Sequence, residues 1–111
     1  MALNLQGISP LSKSVVEFLH ELSCHAKVDR LIIFGSRACN DYDKYSDIDL
    51  AIDAESFNRE DWIRLRMTAY YDVRTVLQIS IVNFVSNPSR LQNRILEDGL
   101  IIYDGQKKVI R

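Results

Sequence analysis

Residues 31–52 read LIIFGSRACNDYDKYSDIDLAI, and this stretch decides the fold. An apolar run ends in Phe34-Gly35-Ser36-Arg37, ten residues follow Ser36, and Asp47-Ile48-Asp49 opens a second apolar run. Side chains alternate between the faces of a strand, so two carboxylates one residue apart point the same way. A Gly-Ser turn at the start of a helix offers backbone N–H groups and a hydroxyl to a phosphate. The combination implies a site for a metal-bound nucleoside triphosphate.

Working outward, residues 30–34 form a short β-branched strand stopped by Gly35, and Ser36 caps a short helix to about Asn40. The polar stretch NDYDKYS reads as a loop. From Asp47 to Asp53 the pattern alternates, with Asp47, Asp49, Ala51 and Asp53 on one face and Ile48, Leu50 and Ile52 on the other. This predicts a strand with one buried and one open face, with Asp53 exposed to solvent.

Upstream, Ser9-Pro10 is a helix start, and Leu11, Val15, Phe18, Leu19, Leu22 and Ala26 recur at helical spacing to about Lys27. Downstream, Asn58 caps a helix whose first turn carries Glu60 and Asp61 and whose core stripe is Trp62, Leu65, Ala69 and Val73. Residues 76–84 form a third strand, with Leu77, Ile79 and Ile81 on one face and Gln78 and Ser80 on the other. Asn87-Pro88 begins a last helix, with Leu91, Ile95 and Leu96 inward and Gly99 as its stop. A strand over 100–103 ends the pattern. The expected fold is one α/β (α+β) domain over residues 1–111, a small mixed sheet of about four strands with helices on one face.

Composition narrows the function. Of 111 residues, 47% are hydrophobic and 26% charged, as in an ordinary soluble domain. The net charge of −1 supplies no basic field, which argues against direct nucleic-acid binding. No apolar run is long enough to span a bilayer, and MALNLQGISPL lacks the basic start of a signal peptide, so a cytoplasmic protein is expected. Cys24 and Cys39 have neither metal-site nor disulfide spacing and read as free thiols. A chain this short gains stability from a partner, which leaves a homo-oligomer open.

Clustered carboxylates repel one another, and Mg²⁺ relieves this by binding one or two of them together with substrate phosphates. The chemistry implied is displacement of pyrophosphate by an attacking oxygen. Ser36 and Arg37 are then candidate phosphate ligands.

The segment FGSRACNDYDKYSDIDLAI resembles the signature of the minimal nucleotidyltransferases (MNT) of the DNA polymerase β superfamily: Gly-Ser, about ten residues, then Asp-x-Asp. The similarity extends over nearly the whole chain. It implies a polymerase β-like palm with Gly35, Ser36 and Arg37 at the phosphates of a nucleotide, expected to be ATP. It also implies Asp47 and Asp49 as catalytic Mg²⁺ ligands. Members of the family often work beside a small helical HEPN protein, some as antitoxins that transfer AMP onto the helical toxin. Two positions depart from the pattern. Asn40 stands where a glycine is usual, and Asn tolerates left-handed backbone. Aligning the third strand's acidic motif onto ISIVNF puts Ser80 and Asn83 where acids stand in active members. Strand parity independently puts Ser80 beside the two aspartates, and a serine hydroxyl supplies neither a base nor a charged ligand at neutral pH.

Two functions follow: a Mg²⁺-dependent nucleotidyltransferase acting on a protein or other hydroxyl, or an inactive protein of the same fold that binds a helical partner. A third reading, a structural subunit of a larger enzyme, has no residue that specifies it. For Gly35-Ser36 alone, a plain capped turn would be the better explanation; the spacing to Asp47 and Asp49 reverses that, since Asp is depleted in strands. His20 and His25 read as surface residues, and Arg90 and Arg94 as a solvated helix face. Tyr42, Tyr45, Tyr70 and Tyr71 are expected to pack within the fold.

Overall fold

Alternation in the apolar runs is what lets one sheet bury both of its faces, each against different helices. The computed structural model describes residues 3–5, 11–35, 48–71, 73 and 79–105. In chain order the elements are α1 (Lys13–Ser23), β1 (Arg30–Phe34), β2 (Ile48–Asp53), α2 (Arg59–Tyr71), β3 (Ile79–Asn83), α3 (Ser89–Asp98) and β4 (Leu100–Asp104). The strands form one sheet in the order β3-β2-β1-β4. β1 runs antiparallel to both β2 and β4, and β2 runs parallel to β3. The four-stranded mixed sheet expected from the sequence is present.

Local chemistry explains the helix boundaries. Ser12, whose hydroxyl accepts from the Val15 N–H at 3.3 Å, caps α1. Ser9-Pro10 lies outside the described residues. α1 ends at Ser23, four residues before Lys27, because the chain tightens into turns there. The Cys24 N–H reaches the His20 and Glu21 carbonyls, and the Lys27 N–H donates to His25 Nδ1 at 3.1 Å. At α2 the Asn58 cap is realised reciprocally. Asn58 Oδ1 accepts from the Asp61 N–H at 2.9 Å, and Asp61 Oδ2 accepts from the Asn58 N–H at 3.0 Å. Two of the helix's orphan N–H groups are thereby satisfied.

The main core lies under one face of the sheet. Leu31 and Ile33 of β1 and Ile48, Leu50 and Ile52 of β2 meet Val15, Phe18, Leu19 and Leu22 of α1 and Leu65 of α2. Trp62, Ala69, Val73, Ile79 and Ile81 pack around them, as the sequence stripes predict. The other face holds a second, smaller core. Here Ile32, Ala51 and Phe84 are buried with Ile95 of α3, against Phe34, Val82 and Leu96.

α3 therefore corrects the expectation of helices on one face only. The physical reason is the residue set of that face, where Ile32, Ala51 and Val82 stand abreast in register and make an apolar strip that a helix must cover. Three finer expectations change with it. Leu91 is 47% exposed, because Ile95 takes the inward position of α3. Tyr70 and Tyr71 are 79% and 72% exposed and meet each other edge-to-face, 4.8 Å between ring centres, so they do not pack into the fold. Ala26 lies exposed in the turn after α1, where it no longer follows the helical spacing. His20 and His25 are exposed as expected, although the His25 ring contacts Phe57 at 5.1 Å.

Candidate nucleotide site

The face carrying α3 is built in three rows, and the sheet register defines them. Phe34, Asp49 and Ser80 form the first row. Ile32, Ala51 and Val82 form the second, and Arg30 and Asp53 the third. Residues opposite one another in a sheet share a face, so polarity along this surface is set row by row.

In the first row, β1 ends at Gly35, whose φ is +78°. Non-glycine residues avoid that left-handed region. The close approach of Asp49 is a second reason for glycine. A Cβ on residue 35 would run into Asp49 Oδ2, with Asp49 Cγ only 3.2 Å away. The carboxylate of Asp49 thus covers the very turn that the sequence assigns to phosphate. Asp49 is also the one residue of β2 that is not buried. Ser80 stands directly opposite it on the parallel neighbour, β3. A hydroxyl, not a carboxylate, therefore lies beside Asp49. Ser36, Arg37 and Asp47 lie outside the described residues, as do Asn40, Tyr42, Tyr45, Cys39, Leu77 and Gln78.

The third row overturns one expectation. Asp53 is only 7% exposed. Its Oδ2 accepts from Arg30 Nε at 2.8 Å, and the Arg30 guanidinium lies over the Phe84 ring, 5.1 Å from its centre. Asp104 of β4 is the register partner of Arg30 on the other side. Asp53 is thus a structural carboxylate closed off by its neighbours, and it takes no part in the open end of the face. Sequence reading missed Arg30 because its pairing depends on β1 and β2 running antiparallel.

A groove of about 470 Å³ adjoins the first row, where α3 leaves the sheet uncovered. It is lined by Phe34, Gly35 and Val82 of the sheet side and by Asn87, Leu91, Arg94, Ile95 and Asp98. No local pattern announces it, because it depends on which face α3 covers.

The donor set suits a hard cation as far as it is described. Asp49 presents a carboxylate oxygen at the mouth of the glycine turn, the ligand type that Mg²⁺ prefers. Among the described residues no group of three or more His, Cys, Asp or Glu side chains is gathered tightly enough to hold a metal ion. Nor is any described helix long and apolar enough to cross a membrane.

Comparison with known proteins agrees with this geometry at the level of the fold. One chain of a toxin–antitoxin complex crystallised with AMP-PNP superposes with a TM-score of 0.61 at 18% identity, covering 86% of this chain and 74% of that one. A Shewanella oneidensis complex of an AMPylated HEPN toxin with its MNT antitoxin gives 0.53 at 18% identity, covering 85% and 70%. A candidate nucleotidyltransferase from Sulfolobus solfataricus gives 0.55 at 22% identity, covering 86% and 81%. No curated protein sequence matches significantly. The family model described as polymerase beta, nucleotidyltransferase matches residues 17–108. That match runs from within α1 through β4, across every strand of the sheet, and so the chain belongs to the polymerase beta nucleotidyltransferase family.

Proposed function

We propose that this protein binds a Mg²⁺-bound nucleoside triphosphate, ATP in the first instance, at Gly35, Ser36 and Arg37, with Asp47 and Asp49 as the metal ligands. The observation that carries the reading is the contact between Gly35 and Asp49, which brings a phosphate-type turn and a carboxylate into one place. The reaction is nucleotidyl transfer. An acceptor hydroxyl oxygen bonds to the α-phosphorus, the α–β anhydride bond breaks, pyrophosphate leaves with the bond electrons, and the hydroxyl proton passes to a base. Bound Mg²⁺ would neutralise charge on the phosphates and the leaving oxygen. Within the chain, the Gly35 turn orients the phosphates, and Asp49 fixes the metal-bound end of the nucleotide against β2.

The biological setting that fits is an antitoxin paired with a small helical HEPN-type protein in the cytoplasm. Solved complexes of similar fold join an MNT antitoxin to a HEPN toxin, one of them AMPylated. A second reading is favoured by a specific observation: Ser80 is the residue in register with Asp49. With a hydroxyl there, the protein would bind nucleotide and act on its helical partner by complex formation, without transferring the nucleotide.

Calorimetric titration tests the site. ATP binding is expected to require Mg²⁺ and to weaken by about a hundredfold or more in the Asp47→Asn/Asp49→Asn double variant, the scale of losing charge-assisted metal ligation. Unchanged binding in that variant would sink the assignment. Transfer of label from ATP to the helical partner then separates the two readings. Transfer by the natural chain favours the enzyme. Silence in the natural chain, with transfer restored by Ser80→Asp, favours the binding protein.

A further inference from the structure

We infer that the groove between α3 and the first row of the sheet receives the nucleoside half of the triphosphate nucleotide, so that α3 is the element that selects a nucleotide over bare polyphosphate. The inference rests on the phosphate site proposed above and extends it. The groove is continuous with that site, because Gly35, which touches Asp49, is also one of its lining residues. A ligand whose phosphates meet the Gly35 turn therefore reaches the groove with whatever is attached to its α-phosphate.

The chemistry of the walls suits a heterocycle. Phe34 and Val82 form the sheet side, and Leu91 and Ile95 face them from α3. This gives an apolar slot with an aromatic ring on one wall, the surface on which a base stacks. Polar groups stand among these walls: Arg94 and Asp98 on α3, and Asn87, whose amide donates to the Asn83 carbonyl at 2.8 Å. The slot thus has a polar rim suited to the hydrogen-bonding edge of a base or the ribose hydroxyls. Leu91, Arg94, Ile95 and Asp98 fall at i, i+3, i+4 and i+7, so one helix face supplies four of the eight lining residues.

Size separates a nucleoside from a macromolecule. A volume of about 470 Å³ lies within the range of small-molecule pockets, roughly 300–1,000 Å³. A protein partner engages about 20–30 residues on each side, far more than the eight that line this groove. The groove also explains why α3 turns Ile95 into the core while leaving Leu91 outward: Ile95 closes the floor and Leu91 makes the wall.

The test compares two ligands, Mg²⁺·ATP and Mg²⁺·tripolyphosphate, by calorimetry on the full chain. Leu91→Asp puts a carboxylate into the apolar wall, and Leu91→Ser removes most of the contact without adding charge. Leu91 is half exposed, so both should melt close to the natural protein. The expected result is ATP affinity reduced about tenfold or more by Leu91→Asp and less by Leu91→Ser, with tripolyphosphate affinity unchanged. Unchanged ATP affinity in Leu91→Asp overturns the inference but leaves the phosphate site standing. Equal weakening of both ligands also overturns it, since the groove would then be acting through the phosphates. So does loss of partner capture with nucleotide binding intact, which would make the groove a protein contact. If the natural chain binds neither ligand, the phosphate site itself fails, and the inference falls with it.

Discussion

Asp49 and Asp53 lie on the same strand and the same face, four positions apart, yet the fold treats them as different kinds of residue. Asp53 faces Arg30 across the antiparallel pair, is bonded to it at 2.8 Å, and is buried beside Phe84. Asp49 has Phe34 and Ser80 as its register partners, neither of them basic, and leans over a glycine turn at the uncovered end of the face. Between them Ala51 and its neighbours form an apolar strip under α3. The role of a strand carboxylate is thus set by the residues abreast of it and by how far the covering helix reaches. One aspartate fastens the sheet, and the other stands at the glycine turn.

The largest expected effect is at the fastened end. Arg30→Met leaves Asp53 buried without its guanidinium, with Asp104 on the opposite flank. Removing one member of a buried ion pair costs about 3–5 kcal/mol, and the partial exposure of Arg30 puts this case toward about 3. Chemical denaturation would read it as a lower midpoint with the slope unchanged. The double replacement Arg30→Met/Asp53→Leu sharpens the point. With both charges gone and volume kept, most of the stability should return. If the double variant is as unstable as the single, Asp53 is not a carboxylate that depends on Arg30, and the contrast with Asp49 collapses.

Gly35→Ala probes the open end and should cost less, about 1–3 kcal/mol, since it forces a Cβ into left-handed backbone. The added methyl also displaces the Asp49 carboxylate. Loss of Mg²⁺-dependent ATP binding should therefore exceed what the loss of stability explains. Titration at a temperature where the variant remains folded separates the two. A variant that is destabilised yet binds ATP normally would mean that Asp49 can leave Gly35 without consequence.

Much of this arrangement was legible in the sequence, and the part that was not shares one cause. The Trp62-Leu65-Ala69 stripe and the Asn58 cap are local patterns, fixed by neighbours within a few residues, and each is found as read. The alternation through β2 places a strand there, but both of its faces are buried except at Asp49. The proximity of Ser80 to Asp49 followed from parity once β2 and β3 were placed side by side. The burial of Asp53 depends on Arg30, 23 residues earlier and on an antiparallel neighbour. Likewise, the hydrophobic spacing of α3 identifies an amphipathic helix but does not say which face of the sheet it covers. Leu91 could be read as inward for that reason, although the strip at Ile32, Ala51 and Val82 gives Ile95 that place. Long-range partners, not local propensity, decided the corrections at Asp53 and α3.

A third aspartate supplies the smallest effect and a pH signature. Asp61 accepts from the Asn58 N–H at 3.0 Å and from Lys27 Nζ at 3.0 Å, so it too is a paired carboxylate, but at the surface. The Asn58 backbone N–H first, and the Lys27 ammonium second, hold its carboxyl below the ordinary value of 3.8. A carboxylate with a depressed folded-state pKa adds stability that is fully present above the unfolded value and fades as pH falls through the folded one. Asp61→Asn keeps a side-chain oxygen that can accept from Asn58 but removes the charge that Lys27 and the helix N-terminus favour. Thermal melts should therefore show the natural protein ahead of Asp61→Asn at neutral pH. The gap should be unchanged down to about pH 4 and close below 3.8, as Asp61 in the natural chain takes up its proton. Screening makes the gap small at any pH, and added salt should narrow it further, whereas the more buried Arg30–Asp53 pair should respond far less to salt. A gap that persists undiminished at low pH would mean that Asp61 acts through the shape of its cap alone. The distinction between a charge fastened inside the fold and one held at its surface would then need another basis.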